Sequence, residues 1–317
     1  MDRFWDQHIE AAISDGVLNQ RYFFMGIAMI SVVLYHAYCA VPQLGVLSLF
    51  KRGYIGVDIF LFFSGLGCAI SFSRNSFVQY IKNRIKRIMP LYWIWAIVHL
   101  IGFCIIAQYA PKIIDIIGLF TALSYYGLGE IRANWYLSAL LSLYLLLPIF
   151  FYVARWSKFF FPLSCYVGAY VTIRYFHPVW YYDAFISRIP IFILGICMAS
   201  LYLDNRRLPQ WAICASVCMC FAGFYLLLVN YAFLGTALLC PLIIFLLCML
   251  PQKLNEWRPL SYIGEHSLEI FIANCWAMLL METIKVSTYY SLVVYFILNV
   301  LLAIILISLN NRLTHVI

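Results

Sequence analysis

Charged residues are scarce in this chain. Asp, Glu, Lys and Arg make up 11% of its 317 residues, whereas roughly 25% is usual in soluble domains. We also find no internal repeat, no low-complexity tract and no linker. This scarcity excludes a soluble domain large enough to act alone, and a single domain covering residues 1–317 is the simplest interpretation.

The chain has no Cys-x-x-Cys pair, although it contains eleven cysteines. Most of them lie in apolar segments, as Cys68, Cys104 and Cys218 do, where cysteine acts as a small buried apolar side chain. A disulfide or a metal role is the alternative. We predict no metal site and no bound cofactor. In so apolar a chain, the net charge of +8 is not evidence for nucleic-acid binding, and no nucleic-acid partner is expected.

Apolar sequence dominates instead. Hydrophobic residues make up 65% of the chain, and the mean hydropathy is +0.90. A helix that crosses a bilayer needs about 20 apolar residues, and such stretches recur. The sequence therefore predicts an all-α, polytopic integral membrane bundle of about ten transmembrane helices. The predicted spans are 22–41, 54–72, 89–108, 135–153, 159–176, 189–203, 211–229, 232–250, 268–284 and 289–308.

Two further segments are interpreted as lying outside the spans. Residues 113–123 are apolar but too short to cross a bilayer, so we expect them at the surface or re-entering it. The N-terminal segment 1–20 has apolar residues at near-helical spacing between Phe4 and Leu18, which is consistent with a short interfacial helix.

The basic residues predict the orientation. With the N-terminus inside, the predicted spans place 14 of the 21 Lys and Arg residues on the cytoplasmic side and 7 on the other side. Because cytoplasmic loops carry an excess of Lys and Arg, both termini are expected in the cytoplasm. We expect the chain to reside in a bacterial plasma (inner) membrane, with the lipid bilayer as its surroundings.

Polar side chains inside a membrane call for an explanation, because a central charge costs near 3 kcal/mol on an insertion scale. His36 lies in an otherwise apolar helix and can act as a general base for a hydroxyl. A hydrogen-bonded structural histidine is the alternative. Asp58 lies early in the second span. It can take part in catalysis, it can be a carboxylate that the positive end of a helix stabilises, or it can form an ion pair with an arginine.

Two arginines precede the third predicted span. Arg84 and Arg87 are three residues apart and share a helical face. They fit either a binding site for phosphates, which suits guanidinium groups, or ordinary anchoring at the cytoplasmic surface. Ser64 is a further candidate in the second span, where the adjacent Gly65 and Gly67 permit close helix packing.

Six motifs occur in an order that resembles the bacterial acyltransferase 3 family, whose members O-acylate cell-surface glycans. Each motif is weak alone, but together they extend over most of the chain. They are Met25–His36, Gly53–Gly65, Arg84–Tyr92, Asn134–Ser138 with Tyr144 and Pro148, Arg188–Gly195, and Ile263–Glu269.

The resemblance implies a ten-helix membrane O-acyltransferase that uses acyl-CoA, with acetyl-CoA as the expected donor substrate. The implied acceptor is a hydroxyl of a surface polysaccharide or a lipid-linked sugar. His36 would be the catalytic base and Asp58 would orient or charge-balance it or an arginine. The implied substrate-binding residues are Arg21, Ser64, Arg84, Arg87, Asn134 and Trp135.

This chain departs from the family pattern at two positions. The family signature begins with an arginine eleven residues before the histidine, and Met25 stands there. Eleven helical residues rise about 16 Å, so Met25 and His36 share a face. Arg21, one turn earlier, is the candidate to supply the cation. The second departure is Asn274, which stands where family members often have a histidine.

Two other classes of function remain open at this stage. A transporter or exporter would use intramembrane charges to line a substrate path. The sequence has neither the repeated halves nor the paired Gly- or Pro-interrupted spans that are typical of secondary transporters. A non-catalytic scaffold in polysaccharide assembly is the other alternative, because Met25 replaces the family's arginine.

Overall fold

The fold was obtained as a computed structural model that describes residues 20–41, 45–204, 206, 209, 211–249, 257–283 and 288–316. The predicted interfacial helix in segment 1–20 lies outside these residues. The helices are α1 Arg21–Ala40, α2 Ile55–Arg74, α3 Phe77–Ala107, α4 Ile113–Phe120, α5 Trp135–Trp156, α6 Phe160–Phe176, α7 Trp180–Ile186, α8 Ile189–Leu203, α9 Trp211–Leu228, α10 Ala232–Cys248, α11 Arg258–Glu265, α12 Ser267–Thr283 and α13 Thr288–Val316.

The prediction of an all-helical membrane bundle is confirmed. The described part of the chain contains no strand, and seven of its helical segments are long and apolar enough to cross a membrane. Two shorter apolar helices, Ala232–Cys248 and Ser267–Met281, coincide with predicted spans. The segment predicted to be too short to cross forms the eight-residue helix α4.

The third helix is longer than its predicted span. It begins at Phe77, twelve residues before the predicted start, and Ser76 caps it by accepting a hydrogen bond from the backbone N–H of Gln79. Pro90 lies inside this helix, which continues for 31 residues. Membrane helices tolerate an internal proline because neighbouring groups satisfy the carbonyl that it leaves free. Arg84 and Arg87 therefore belong to the body of α3, not to a segment before it.

Close glycine contacts hold α2 against α8. A Cβ atom on Gly65 would lie 2.1 Å from the carbonyl oxygen of Phe192. A Cβ atom on Gly195 would lie 2.1 Å from the carbonyl oxygen of Phe62. Only glycine permits backbones to approach so closely, as is common between membrane helices. The packing role expected for Gly65 is thus visible in the structure.

A second close contact joins α1 to α11. A Cβ atom on Gly264 would lie 1.7 Å from the carbonyl oxygen of Tyr22, and one on Gly26 would lie 2.1 Å from that of Leu260. The contact brings the start of α12, which follows α11 directly, next to the first turns of α1. The N-terminal end of α1 is therefore enclosed by α2 on one side and by α11 and α12 on another.

Candidate active site

A cavity with about 620 Å³ of empty space opens where α1, α2, α3, α5 and α12 converge. We call it the arginine cavity, because three arginines line it. Its polar and charged lining comes from side chains that are far apart in sequence. The lining residues are Arg21, Met25, Phe60, Ser64, Gly67, Arg84, Arg87, Ile88, Tyr136, Leu140, Tyr144, Ser267, Leu268 and Phe271.

Arg21 enters this cavity from the first turn of α1. The guanidinium group lies over Gly67 of α2, where a Cβ atom would be 3.3 Å from Nη1. The absence of a side chain at Gly67 therefore leaves room for the guanidinium group. Met25 lies one turn further along α1, is 7% exposed and lines the same cavity. Arg21 therefore places a cation in the cavity that Met25 also lines. Met25 stands where the family pattern has an arginine and carries no charge itself.

Arg84 and Arg87 reach the cavity from α3. The Cζ atom of Arg84 lies 5.5 Å from the ring centre of Tyr80 and 5.8 Å from that of Tyr144, so two aromatic rings hold the guanidinium group. Arg87 lines the cavity one helical turn further along. The predicted shared face of these two arginines therefore points into a cavity.

No carboxylate in the described ranges lies within ion-pair distance of Arg21, Arg84 or Arg87. Neutral hydroxyl groups surround them instead, from Ser64 on α2 and from Tyr144 on α5. Three cations with no internal counter-charge create a positive potential that favours an anionic ligand.

His36 lies outside this cavity. It is half-buried near the other end of α1, about 16 Å from Met25 along the helix axis. Nδ1 of His36 is hydrogen-bonded to the side-chain amide of Asn274 on α12, and the hydroxyl of Tyr295 on α13 donates to Oδ1 of the same amide. The structure therefore separates the candidate base from the cluster of cations.

Asp58 contacts an arginine that our sequence analysis did not select as a site residue. Oδ1 of Asp58 lies 3.2 Å from Nε of Arg188 at the start of α8, and the two side chains are 0% and 1% exposed. Of the roles open for Asp58, an ion pair with an arginine is the one seen in the structure. In the described part of the chain, no hydrogen bond or ion pair joins it to His36. Arg188 is one of the seven basic residues that the predicted spans place on the non-cytoplasmic side, and in the structure its side chain is buried in the bundle.

The remaining two candidates also lie away from the arginine cavity. The ring of Trp135 packs on Arg188, whose Cζ atom is 5.3 Å from the ring centre. Oδ1 of Asn134 accepts hydrogen bonds from the backbone N–H groups of Tyr136 and Leu137, so Asn134 caps α5. Thus the structure brings Arg21, Ser64, Arg84 and Arg87 together, and it places Asn134 and Trp135 elsewhere.

Sequence reasoning missed the contacts that three residues make, although it had noted Asn274 as a departure from the family pattern and Arg188 as part of a motif. Arg188, Asn274 and Tyr295 contact residues that lie 130, 238 and 262 positions away in the chain. A signal was available for Asn274, since a polar amide in an apolar span calls for a partner. No comparable signal selects Tyr295 from the 24 tyrosines of this chain.

The fold and the cavity together define a helical membrane protein with a cavity that three arginines line. The comparison with protein families identifies which one: the model of the acyltransferase 3 family, described as an acyltransferase domain, matches residues 25–309. The chain therefore belongs to this family and is a membrane acyltransferase. The comparisons with curated proteins and with solved structures gave no match.

Proposed function

We propose that this acyltransferase moves an acetyl group from acetyl-CoA to a hydroxyl group of a cell-surface polysaccharide or a lipid-linked sugar. The observation that carries the proposal is the arginine cavity, in which three guanidinium groups face one space and have no carboxylate partner among the described residues. The donor is an acyl-CoA, and such a molecule carries several phosphates. Guanidinium groups bind phosphate oxygens through paired N–H donors, so this cavity suits the donor's nucleotide end.

Within the cavity, the three arginines differ in their contacts and exposure. Arg84 is held between the rings of Tyr80 and Tyr144, and Arg21 lies over Gly67. Arg87 is exposed and has no such support. In this proposal Arg84 and Arg21 form the fixed part of the phosphate site, and Arg87 adds a movable third cation.

His36 is the proposed general base. It would take the proton of the acceptor hydroxyl while the hydroxyl oxygen attacks the thioester carbonyl carbon. A C–O bond forms, the C–S bond breaks, and coenzyme A leaves as its thiol once its sulfur has taken up a proton. Because His36 lies about 16 Å beyond Met25 along α1, the flexible arm that carries the thioester has to extend from the phosphate site toward the other end of the bundle.

We also propose that the arginine cavity faces the cytoplasm, where acetyl-CoA is made, and that both termini lie on that side of the bacterial inner membrane. The excess of Lys and Arg in the predicted cytoplasmic connections supports this orientation. A C-terminal fusion to a reporter that is active only in the cytoplasm tests it. Activity is expected, whereas activity of a periplasm-only reporter would reverse the orientation.

The enzymatic test uses the full-length protein in lipid nanodiscs with labelled acetyl-CoA and a glycan extract from the host bacterium. We expect release of free coenzyme A and transfer of label to the glycan. Arg84→Ala and Arg87→Ala should each raise the KM for acetyl-CoA by tenfold or more. The matched control is Lys86→Ala, which removes an exposed cation from the same helix turn outside the cavity.

The outcomes separate the three classes of function. If neither coenzyme A nor labelled glycan is produced although the protein is folded, the transporter or scaffold interpretation replaces the enzyme. If acetyl-CoA is consumed equally well by wild type and both arginine variants, the arginine cavity is not the donor site. If Lys86→Ala weakens donor use as much as Arg84→Ala, the effect reflects general surface charge.

A further inference from the structure

A buried hydrogen-bond network fixes one ring nitrogen of His36. The side-chain amide of Asn274 contacts Nδ1 of His36, and the Tyr295 hydroxyl lies against the same amide and 3.0 Å from the carbonyl oxygen of Val33. Asn274 and Tyr295 are both 0% exposed. In the part of the chain that the structure describes, Nε2 of His36 has no hydrogen-bond partner. The network therefore acts on one nitrogen and leaves the other free.

The orientation of the Asn274 side-chain amide determines which ring nitrogen of neutral His36 carries the proton. When Nδ2 of Asn274 faces Nδ1 of His36, the amide donates to that nitrogen. The neutral imidazole then carries its proton on Nε2, which cannot accept another. In that arrangement the single hydroxyl proton of Tyr295 faces two acceptors, the carbonyl oxygen of Val33 and Oδ1 of Asn274.

Rotation of the Asn274 side-chain amide by half a turn exchanges the positions of its nitrogen and oxygen and moves no other group. Nδ1–H of His36 then donates to Oδ1 of Asn274, Nδ2–H of Asn274 donates to the Tyr295 oxygen, and the Tyr295 hydroxyl donates to the carbonyl oxygen of Val33. Each of these donors now has its own acceptor, which favours this arrangement in a buried network. The lone pair of His36 is then on Nε2, the unbonded nitrogen.

We propose that Asn274, anchored by Tyr295, is the positioning residue that holds His36 in the tautomer with the proton on Nδ1, so that Nε2 is the atom that accepts the proton of the sugar hydroxyl. This inference rests on the proposed function, since it assigns a partner to the proposed base. During the transfer the hydroxyl proton moves to Nε2, and the resulting imidazolium keeps its Nδ1–H bond to the amide oxygen.

Few other titratable groups lie near this network. Tyr35 on α1 has its ring 5.4 Å from that of His36, and Cys39 on α1 and Cys275 on α12 lie near Tyr295. No carboxylate among the described residues forms an ion pair with His36. The amide of Asn274 is therefore the group that sets the proton position, and its replacement should be visible in the pH dependence of the reaction.

The test compares Asn274→Asp with Asn274→Leu in the full-length protein, using kcat, KM for acetyl-CoA and the pH profile of kcat/KM. A carboxylate can only accept from Nδ1–H, so Asn274→Asp should keep at least a tenth of the wild-type kcat. Its acidic limb should shift to higher pH by one unit or more. Asn274→Leu cannot accept a hydrogen bond and should lower kcat by a hundredfold or more, with KM for acetyl-CoA within threefold of wild type.

The anchor is tested with a matched pair on α13. Tyr295→Phe removes the hydroxyl that orients the amide and should lower kcat about tenfold. Tyr290→Phe changes an exposed tyrosine of the same helix and should leave kcat unchanged. Thermal unfolding in nanodiscs serves to restrict the comparison to variants that fold as wild type does. Equal kcat for Tyr295→Phe and wild type would refute the anchoring role.

Failure of the inference is distinguishable from failure of the proposed function. If His36→Ala retains full activity, the proposed base is wrong and the inference fails with it. If His36→Ala is inactive while Asn274→Leu keeps the wild-type kcat, the base stands and the positioning role is wrong. If Asn274→Asp is inactive and Asn274→Leu is active, His36 works with its proton on Nε2 and the proposed tautomer is reversed.

Discussion

Arg188 and Asp58 form an ion pair in the interior of the bundle, with Nε 3.2 Å from Oδ1 and both side chains almost completely buried. The rings of Tyr54, Trp135 and Phe233 surround the guanidinium group, with centres 4.9 to 5.7 Å from Cζ. The pair joins α2 to α8 at the end where Asp58 lies in the first turn of α2. Its position, outside the arginine cavity and without contact to His36, points to a structural role.

Removing one partner should therefore destabilise the protein. Asp58→Ala leaves the Arg188 cation buried without a counter-charge, and such a loss costs about 3–5 kcal/mol in known cases. We expect a clearly lower unfolding temperature in nanodiscs and loss of folded protein on extraction. The measurement is thermal unfolding of purified protein, followed by tryptophan fluorescence.

The control removes both charges at once. Asp58→Leu combined with Arg188→Met replaces the pair with apolar side chains, which is often neutral for stability. We expect this double variant to be more stable than Asp58→Ala and to keep measurable acetyl transfer. A stable double variant without any transfer would instead assign Asp58 or Arg188 a direct part in catalysis.

The ten longer apolar helices of this fold could be predicted from the sequence because each one needs an apolar stretch of its own, whereas the short helices Trp180–Ile186 and Arg258–Glu265 were not predicted. All ten predicted spans coincide with helices, including Ala232–Cys248 and Ser267–Met281, which are short for a membrane. The start of α3 was the main error. Its first turns are basic and exposed, so an apolar window cannot detect them, whereas the Ser76 cap that begins the helix is a local signal.

The candidate site could be predicted only in part. The spacing of Arg84 and Arg87 alone predicts that they share a helical face, and in the structure both line the arginine cavity. Which residues meet His36 or Asp58 depends on how distant helices pack, and no local pattern encodes the contact of Asn274 with His36. Arg188 directly precedes the predicted span 189–203, and only the packing of α2 on α8 reveals that its side chain is buried.

The contact of Arg21 with Gly67 leads to a prediction about donor binding. A Cβ atom at Gly67 would lie 3.3 Å from Nη1 of Arg21, so a valine there must push the guanidinium group out of place. Gly67→Val should raise the KM for acetyl-CoA by tenfold or more while the protein stays folded. The matched control is Gly168→Val on α6, where a Cβ atom meets nothing within 4 Å. Similar KM values for the two variants would show that the position of Arg21 does not matter.

The contact between α2 and α8 leads to a prediction about stability. Gly65→Ala places a methyl group 2.1 Å from the carbonyl oxygen of Phe192, and this backbone cannot move aside as a flexible side chain can. Overpacking of this kind typically costs about 1–3 kcal/mol. We expect a lower unfolding temperature for Gly65→Ala than for Gly168→Ala. Equal unfolding temperatures would mean that the two helices separate at little cost.

The segment between α3 and α5, which contains α4, should lose stability at acidic pH. Backbone N–H groups of Glu130 and Lys112 donate to the Asp115 carboxylate at 2.7 and 2.8 Å, and the Tyr109 hydroxyl also donates at 2.8 Å. These bonds, that of Glu130 first, lower the pKa of Asp115 below its usual value. The stabilisation is therefore complete above the pKa of the unfolded chain, about 3.9, and is lost as the pH falls from there through the lower pKa of the folded protein.

Hydrogen exchange checks this expectation. The amides of Lys112 and Glu130 should be protected at pH 7 and, after correction for intrinsic rates, progressively less protected as the pH falls from about 4 toward 2. Asp115→Asn should reduce the protection at pH 7 and remove most of its pH dependence, since a neutral amide has one acceptor oxygen instead of two. Protection that is unchanged between pH 7 and about pH 2 in wild type would contradict the proposed role of the carboxylate.

The last prediction concerns the cation that the family motif places at Met25. Arg21 lines the same cavity as Met25, and its guanidinium group is half-buried over Gly67 with no carboxylate partner among the described residues. Its long apolar stem can lie along α1 while the charge reaches the phosphate site. We therefore expect Arg21→Ala to lower kcat/KM for acetyl-CoA by more than tenfold, equivalent to about 1.4 kcal/mol or more of transition-state stabilisation. Arg74→Ala, which removes an exposed arginine at the end of α2 outside the cavity, is the control and should have little effect.

Met25→Arg restores the family's residue at a position that already faces the cavity, and it should retain or raise activity. Full activity of Arg21→Ala would reduce Arg21 to a membrane anchor. A wild-type protein without transfer from any acyl-CoA, together with restored transfer in Met25→Arg, would show that the natural chain acts as a scaffold.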